Sequence, residues 1–405
     1  MKYFVLVPDG AGDYPMEALG GKTVLEAADM KNINAIAAKS RIGMVKTIPD
    51  GVAPGSDAAN LSVMGYDPSI YLTGRSPLEA VSIGIDMSDT DVAFRTNVIT
   101  LEGEGEYEDL IIKDHSSGDI STEEADQLIR AANEAFADEN IRFYTGVSYR
   151  HCMIVHNGST NYKLTPPHDV LGKRVGDNLP QGEGSEFITK MMKKSYEILN
   201  NHPVNIARRE KGLNPANTLW IWGQGKKPSL SSFSAKYHLD GSVISAVDLI
   251  KGIGLCAGLD SIDVPGVTAT LHTNYEGKAN AAIDEFKKGK QFVYMHLEGP
   301  DECGHQGDTD DKLESMKRID ERIFAPIYEY LKSCGDDFRI LIVPDHRTPI
   351  ALRTHTSEPV PFVLYDSTRE EPADTSKQFN EKAGEASGMY FGSGFEMADF
   401  FFTDK

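Results

Sequence analysis

The sequence predicts an α/β fold in which a sheet covered by helices is interrupted by a smaller inserted α+β domain. Three hydrophobic runs are typical of buried strands, and they span residues 3–8, 292–297 and 338–344. A Gly/Pro-rich loop at residues 50–56 leads into an Ala-containing apolar segment that is typical of a buried helix. Between residues 73 and 231 the apolar runs become shorter and acids more frequent, which indicates a second domain.

Acidic and imidazole side chains follow each of the three predicted strands. They are Asp9 after the first strand, Asp301 and His305 after the second, and Asp345, His346 and His355 after the third. In an open α/β sheet, ligands bind outside the carboxyl ends of the strands, so these side chains are expected to converge. Their number exceeds what one ion needs, and the sequence therefore predicts a site for two divalent cations.

Ser56 is the candidate nucleophile. It lies in the segment Pro-Gly-Ser-Asp-Ala-Ala-Asn at the predicted start of a helix, where free N–H groups favour a phosphoryl group. Serine also caps helices, so this position alone does not indicate catalysis. Beside two cations, however, a metal-bound serine loses its proton more easily and can accept a phosphoryl group.

Composition excludes several other classes of protein. The formal net charge is -20 at pH 7, whereas nucleic-acid binding needs a basic surface. No apolar run approaches the roughly eighteen residues of a membrane span, and the N-terminus lacks a signal-peptide pattern. We therefore expect a cytoplasmic enzyme with neither nucleic acid nor membrane as its partner. The sequence does not indicate an oligomeric state.

A phosphate-binding loop of the Walker type is also excluded. Gly21, Lys22 and Thr23 match the end of that motif, but its first glycine would fall on Met16. The motif holds phosphate with backbone N–H groups, and a glycine is required at that position.

The expected domain boundaries follow from the change in pattern. Residues 1–72 and 236–405 are expected to form the metal-binding domain, and residues 73–235 the inserted substrate domain. Helices are predicted within the insertion at residues 122–136 and 187–199, and strands at residues 92–99 and 151–156.

Long motifs carry a resemblance to a known family over essentially the whole chain. They include the Ser56 segment, Thr-Asn-Tyr-Glu-Gly-Lys ending at Lys278, Glu-Gly-Pro-Asp-Glu-Cys-Gly-His ending at His305, and Pro-Asp-His ending at His346. In this order they resemble the archaeal-type cofactor-independent phosphoglycerate mutases of the alkaline phosphatase superfamily. The resemblance implies an alkaline-phosphatase-like sheet core and an isomerase of glycolysis that converts 3-phosphoglycerate into 2-phosphoglycerate through a phosphoserine.

The resemblance also implies a role for each residue of the site. One metal would be held by Asp301, His305 and His355, and the other by Asp9, Ser56, Asp345 and His346. Ser56 would accept the phosphoryl group and Lys278 would steady its charge. The metals are expected to be Mn, Mg, Zn or Co, which such ligands do not distinguish. Substrate would be bound in the inserted domain by Arg75, Arg95, Arg150, Arg208 and Asp114.

One departure from the family pattern leaves the substrate open. Where family members typically read Asp-Arg-Arg-Ala-Gly-Arg, this chain reads Asp-His-Ser-Ser-Gly-Asp at residues 114–119, and Trp222 replaces a frequent arginine. The loss of guanidinium groups weakens the case for a doubly anionic substrate. A proposed homoserine kinase branch of the same family, whose substrate is an amino acid, is therefore a close alternative. A phosphomonoesterase is a further one.

Overall fold

The computed structural model describes residues 1–403, which form two compact units. The larger unit contains Met1–Leu72 and the residues from Ser229 onward, and the smaller unit contains Thr73–Pro228. The second boundary therefore lies before the expected position between residues 235 and 236. The reason is packing, because Phe233 stacks on Phe292 of the larger unit with ring centroids 4.5 Å apart.

The strands range in length from two to eleven residues. They are β1 Lys2–Pro8, β2 Arg41–Val45, β3 Val92–Glu102, β4 Ile111–Asp114, β5 Ile141–Val147, β6 Arg150–Val155, β7 Thr218–Lys226, β8 Gly241–Ile244, β9 Asp260–Ser261, β10 Phe292–Leu297, β11 Phe338–Ile342, β12 Val360–Asp366 and β13 Tyr390–Phe391.

The helices connect these strands and cover the sheets. They are α1 Val24–Ala27, α2 Lys31–Ala37, α3 Ser56–Val63, α4 Pro68–Tyr71, α5 Ser76–Ser82, α6 Thr122–Phe136, α7 Glu186–Leu199, α8 Pro203–Glu210, α9 Phe233–Tyr237, α10 Asp248–Cys256, α11 Tyr275–Lys287, α12 Gly299–Gln306, α13 Thr309–Arg318, α14 Ala325–Ser333, α15 Glu381–Ser387 and α16 Gly394–Thr403. A π-helical turn at Ile319–Phe324 joins α13 to α14. No helix within residues 1–403 is long and apolar enough to cross a membrane.

The larger unit is built on a mixed eight-stranded sheet with the order β13-β2-β12-β11-β1-β10-β8-β9. The strands β11, β1 and β10 are neighbours and run parallel, with Val7 opposite His296 and Leu6 opposite Ile342. Their carboxyl ends therefore meet at one edge, as the sequence predicted. The strand β12 runs antiparallel to both β11 and β2.

Both faces of this sheet are covered by helices, which explains why its central strands are continuously hydrophobic. Successive side chains of a strand point to opposite faces. On one face, Phe4 and Leu6 of β1 join a core with Phe286 of α11. On the other face, Tyr3 packs against Phe401 and Phe402 of α16, with ring centroids 5.7 and 5.6 Å away. The site at the strand ends thus rests on a rigid, buried platform.

The smaller unit contains a five-stranded antiparallel sheet. The long strand β3 lies at its centre and pairs with β4, β6 and β7, while β5 extends the sheet beyond β6. Residues of α6 and α7 share one apolar core with β3, β6 and β7. This α+β unit follows the fold class predicted for the insertion, and both helices predicted there are present.

Candidate metal centre

The predicted ligands come from the loops and the helix that follow β1, β10 and β11. Asp9 directly follows β1, and Asp345 and His346 lie three and four residues after the end of β11. Asp301 and His305 lie four residues apart on α12, which places them on one helix face, and Asp301 Oδ2 is 3.3 Å from His305 Nε2. The parallel register of the three strands brings all of these residues to the same sheet edge.

The ligand atoms form two clusters that share one histidine. Asp9, Asp345 and His346 form one, and Asp301, His346 and His355 form the other, with the ligand atoms of each cluster within 4.8 Å of one another. The resemblance assigned His346 to the first group alone. His305 lies beside the second group, with its Nε2 2.9 Å from His355 Nε2. All six acidic and imidazole residues predicted as ligands are therefore neighbours.

The chemistry of these atoms fits divalent cations. Asp9 Oδ1 is buried without a hydrogen-bond partner, although a carboxylate oxygen is a strong acceptor. Burial and the charges of Asp345 and Asp301 raise the pKa of Asp9 well above its ordinary value. Burial alone would also raise the pKa of Asp301, but hydrogen bonds with His305 and His355 lower it. Cations at this edge would relieve the repulsion among the carboxylates.

Ser56 begins α3 and contacts the shared histidine. Its Oγ is 3.1 Å from His346 Nε2, and the side chain is half-buried. Burial lowers the pKa of His346, which favours a neutral imidazole with a lone pair. The sequence-predicted nucleophile thus lies against the residue that joins the two clusters.

Asn60 is a further residue of the site, which the sequence alone did not single out. It is fully buried one turn after Ser56, and its amide donates to the Ser56 carbonyl at 2.8 Å and to Asp345 Oδ2 at 2.9 Å. Its own oxygen accepts from the Tyr294 hydroxyl at 2.6 Å. Asn60 therefore ties the nucleophile helix to a predicted metal ligand. The available signal was its place four residues after Ser56 in the same motif.

The sequence alone did not single out His296 and Glu298 either, because the pattern indicates only the end of a buried strand at these positions. His296 Nε2 lies 3.3 Å from Asp9 Oδ2, and His296 Nδ1 lies 3.3 Å from Glu298 Oε1. Burial would lower the pKa of His296, but Asp9 and its neighbours raise it well above the ordinary value. His296 thus links Asp9 to Glu298 behind the site.

Lys278 binds the other carboxylate oxygen of Glu298. It is fully buried and donates to Glu298 Oε2 at 2.8 Å and to the His296 carbonyl at 2.9 Å. Burial would raise the pKa of Glu298, whereas the Lys278 charge lowers it. Lys278 therefore reaches the metal ligands through Glu298 and His296, and its predicted role beside the phosphoryl group stays a prediction.

The predicted substrate-binding arginines of the smaller unit have different surroundings. Arg95 donates to Glu79 Oε2 at 2.9 Å and lies over the ring of Trp222 at 4.9 Å. Arg150 is exposed and lies over the Tyr149 ring at 5.3 Å. Arg75 is exposed at the start of α5. These three guanidinium groups are at or near the surface of the unit.

Arg208 and Asp114 hold the loop at residues 114–119 in place. Arg208 is buried and donates to the carbonyls of Asn214 at 2.8 Å and Ser117 at 2.6 Å. Asp114 accepts from the backbone N–H groups of Ser116 at 2.9 Å and Gly118 at 2.6 Å. Burial would raise the pKa of Asp114, but these hydrogen bonds lower it. Both side chains are therefore occupied by contacts within the unit.

A cluster of rings lies next to this loop and includes two positions, 115 and 222, at which the chain departs from the family pattern. The His115 ring is 5.6 Å from Tyr149 and 6.1 Å from His168, and His168 is 5.4 Å from Trp222. His115 Nδ1 is buried without a hydrogen-bond partner. The departures at positions 115 and 222 were visible in the sequence, but their common neighbourhood was not.

Comparison with known proteins identifies the family. A family model described as 2,3-bisphosphoglycerate-independent phosphoglycerate mutase matches residues 37–205. A protein of that name from Methanosarcina barkeri is 47% identical over 390 residues, which make up 96% of each chain.

Two solved structures extend this similarity to the fold. The cofactor-independent phosphoglycerate mutase of Thermoplasma acidophilum has a TM-score of 0.68 and 25% identity, and the match covers 99% of both chains. A protein from Pyrococcus horikoshii has a TM-score of 0.82 and 27% identity, and the match covers 99% of this chain and 96% of that one. The chain belongs to the 2,3-bisphosphoglycerate-independent phosphoglycerate mutase family. The family and the fold class that the sequence predicted are confirmed.

The buried ion pair behind Asp9 gives a stability prediction. Replacing Glu298 by glutamine should lower the free energy of unfolding by about 3–5 kcal/mol, because the Lys278 ammonium loses its buried carboxylate. Glu329→Gln is the matched control, since Glu329 forms an exposed pair with Lys332 at 2.6 Å and its loss should change little. Urea unfolding followed by circular dichroism measures both variants, and equal losses would contradict the prediction.

Proposed function

We propose that the protein is a metal-dependent isomerase that interconverts 3-phosphoglycerate and 2-phosphoglycerate through a phosphoserine at Ser56, without bisphosphoglycerate. One observation carries the proposal. The Ser56 hydroxyl lies 3.1 Å from Nε2 of His346, the residue that two carboxylate–imidazole clusters share. The names of the relatives support the same reaction.

The site is proposed to hold two divalent cations. Asp301, His305 and His355 would hold one, and Asp9, Ser56, Asp345 and His346 the other, with His346 close to both groups. Oxygen and imidazole ligands suit Mn, Mg, Zn or Co. When bound, such cations lower the pKa of a serine hydroxyl and neutralise charge on a phosphoryl group.

The residues of the chain itself would orient the reacting groups. Ser56 stands at the N-terminus of α3, whose free N–H groups and dipole favour a phosphoryl group. Asn60 fixes the Ser56 backbone through its carbonyl, and so limits the positions that the hydroxyl can take. Orientation of this kind favours in-line transfer of the phosphoryl group from the substrate to Ser56, which leaves glycerate in the site. The group then returns from Ser56 to the other hydroxyl of that glycerate.

In the smaller unit, Arg75, Arg95 and Arg150 are the proposed partners of the substrate carboxylate. A guanidinium group can bind a carboxylate with two parallel hydrogen bonds. Arg208 and Asp114 would act indirectly, by holding the loop at residues 114–119. This divides the five residues named from the sequence into three that bind and two that position.

The two alternative reactions, those of a homoserine kinase and of a phosphomonoesterase, are not proposed. The relatives compared above that carry a functional name are phosphoglycerate mutases, and no contact in the site favours the homoserine kinase alternative. A phosphomonoesterase would need the same cations and the same serine, and no observation favours it over the mutase. The cytoplasmic location stays a prediction from the sequence.

The nucleophile is tested by removing its hydroxyl. Ser56→Ala should lower kcat for 3-phosphoglycerate by at least about a thousandfold, because no other group at this position can carry the phosphoryl group. Ser62→Ala on the same helix is the control, since the buried Ser62 hydroxyl has no hydrogen-bond partner and is not a ligand. A coupled assay with enolase measures turnover. Substantial activity in Ser56→Ala would rule out the phosphoserine route.

The carboxylate site is tested by Arg150→Ala. We expect KM for 3-phosphoglycerate to rise about tenfold to a hundredfold, since a charge-assisted hydrogen bond contributes about 1.5–3 kcal/mol. Arg142→Ala removes an exposed arginine from the neighbouring strand and should leave KM unchanged. If both variants keep the wild-type KM, Arg150 does not bind the substrate.

Metal binding is expected to release protons. Hydrogen bonding with Asp301 raises the pKa of His305 to about 9, so near neutral pH a cation must displace a proton from this imidazole. Affinity for Mn²⁺ should therefore increase as pH rises towards that value. Titration calorimetry of chelator-treated protein in two buffers of different ionisation enthalpy counts the protons released.

His305→Gln should release fewer protons than the wild type, whereas His272→Gln, at an exposed position of the same unit, should not differ from it. Equal proton release by His305→Gln and the wild type would exclude His305 as a ligand.

A further inference from the structure

Thr348 lies against the ligand clusters and is completely buried. Its hydroxyl contacts Asp301 of one cluster and His346, which both clusters share. It is hydrogen-bonded to Asp301 Oδ1, and it lies 3.3 Å from His346 Nδ1. No other hydroxyl in residues 1–403 is seen to bond both to Asp301 and to His346. This contact pattern places Thr348 behind the ligands, on the side away from Ser56.

The directions of these hydrogen bonds follow from proton counting. A hydroxyl has one hydrogen to donate, and an ionised carboxylate can only accept. Thr348 therefore donates to Asp301 and must accept from His346, which requires the proton of His346 on Nδ1. The lone pair of His346 is then on Nε2, the nitrogen that faces Ser56 Oγ, Asp9 Oδ1 at 3.5 Å and Asp345 Oδ2 at 3.4 Å. That tautomer is the one able to bind a cation at this edge.

The surrounding backbone packs closely against Thr348. A Cβ added at Gly10, which has φ +62°, would stand 2.5 Å from the Thr348 hydroxyl and 2.7 Å from Asp301 Oδ1. A Cβ at Gly304 would stand 2.5 Å from the Thr348 carbonyl oxygen. The buried Lys312 donates to the same carbonyl at 2.8 Å and pairs with Asp13 at 2.9 Å. Residue 348 is thus packed against three separate segments of the chain, with its hydroxyl against Gly10 and its carbonyl against Gly304 and Lys312.

We propose that Thr348 is a positioning residue whose hydroxyl sets the tautomer of His346 and fixes Asp301 at the same time, so that the two cation clusters are organised together. The proposal rests on the proposed function, since it assumes that these clusters bind cations. Groups that orient metal ligands through hydrogen bonds commonly change metal affinity or activity by about 10–100-fold when they are removed.

The test is Mn²⁺ binding to the chelator-treated full chain, measured by titration calorimetry for three variants. Thr348→Val keeps the shape of the side chain but removes the hydroxyl, and should weaken Mn²⁺ binding about 10–100-fold. Thr348→Ser keeps the hydroxyl and should bind within a few-fold of the wild type. Thr145→Val removes another hydroxyl bonded to a carboxylate, Asp126 at 2.7 Å in the smaller unit, and should bind Mn²⁺ as the wild type does.

Each outcome decides one question. Wild-type affinity in Thr348→Val overturns the proposal. Equal weakening in Thr348→Ser also overturns it, because the methyl group rather than the hydroxyl would then be responsible. If circular dichroism shows that Thr348→Val does not fold, Thr348→Ala, which adds no atom, takes its place with the same expected loss. A wild-type protein that binds none of Mn²⁺, Mg²⁺, Zn²⁺ and Co²⁺ in the same calorimetric titration would instead refute the proposed function.

Discussion

The structure depends on how the protein keeps several carboxylates together at a buried sheet edge. Asp9 and Asp345 are almost fully buried, Asp301 lies nearby, and like charges at this distance in a medium of low polarity repel strongly. Without compensating charge, one or more of these groups would take up a proton. The fold provides compensation from behind the site, and it leaves the front to the cations that we propose.

Two fully buried lysines lie behind the site, and each is paired with a carboxylate of its own. Lys278 pairs with Glu298 at 2.8 Å, and Lys312 pairs with Asp13 at 2.9 Å. A buried ion pair adds little net stability over an apolar pair, because desolvation offsets most of the attraction. The two pairs are better understood as fixing geometry, since each also donates to a backbone carbonyl next to a ligand segment. Orientation of the ligands, rather than added stability, is their contribution.

Part of the site could be predicted because its residues follow strands. A continuous hydrophobic run marks a strand buried on both faces, and an acid or a histidine just after it lies at the carboxyl end. That reasoning predicted that Asp9, Asp301 and Asp345 lie together, although about three hundred positions separate Asp9 from the other two. Long motifs then gave the family and Ser56. The supporting residues carry no such mark, because a buried asparagine or threonine has the same appearance whether it bonds to a ligand or to ordinary backbone.

The sequence by itself determined the fold class and the family and predicted the set of ligands, because these depend on patterns along the chain. Only the tertiary structure decided how His346 is shared between two clusters, why Arg208 is a buried support rather than a surface cation, and where the inserted unit ends. These features depend on contacts between distant segments. Phe233, for example, belongs to the larger unit because of the ring on which it stacks, and no local pattern specifies that partner.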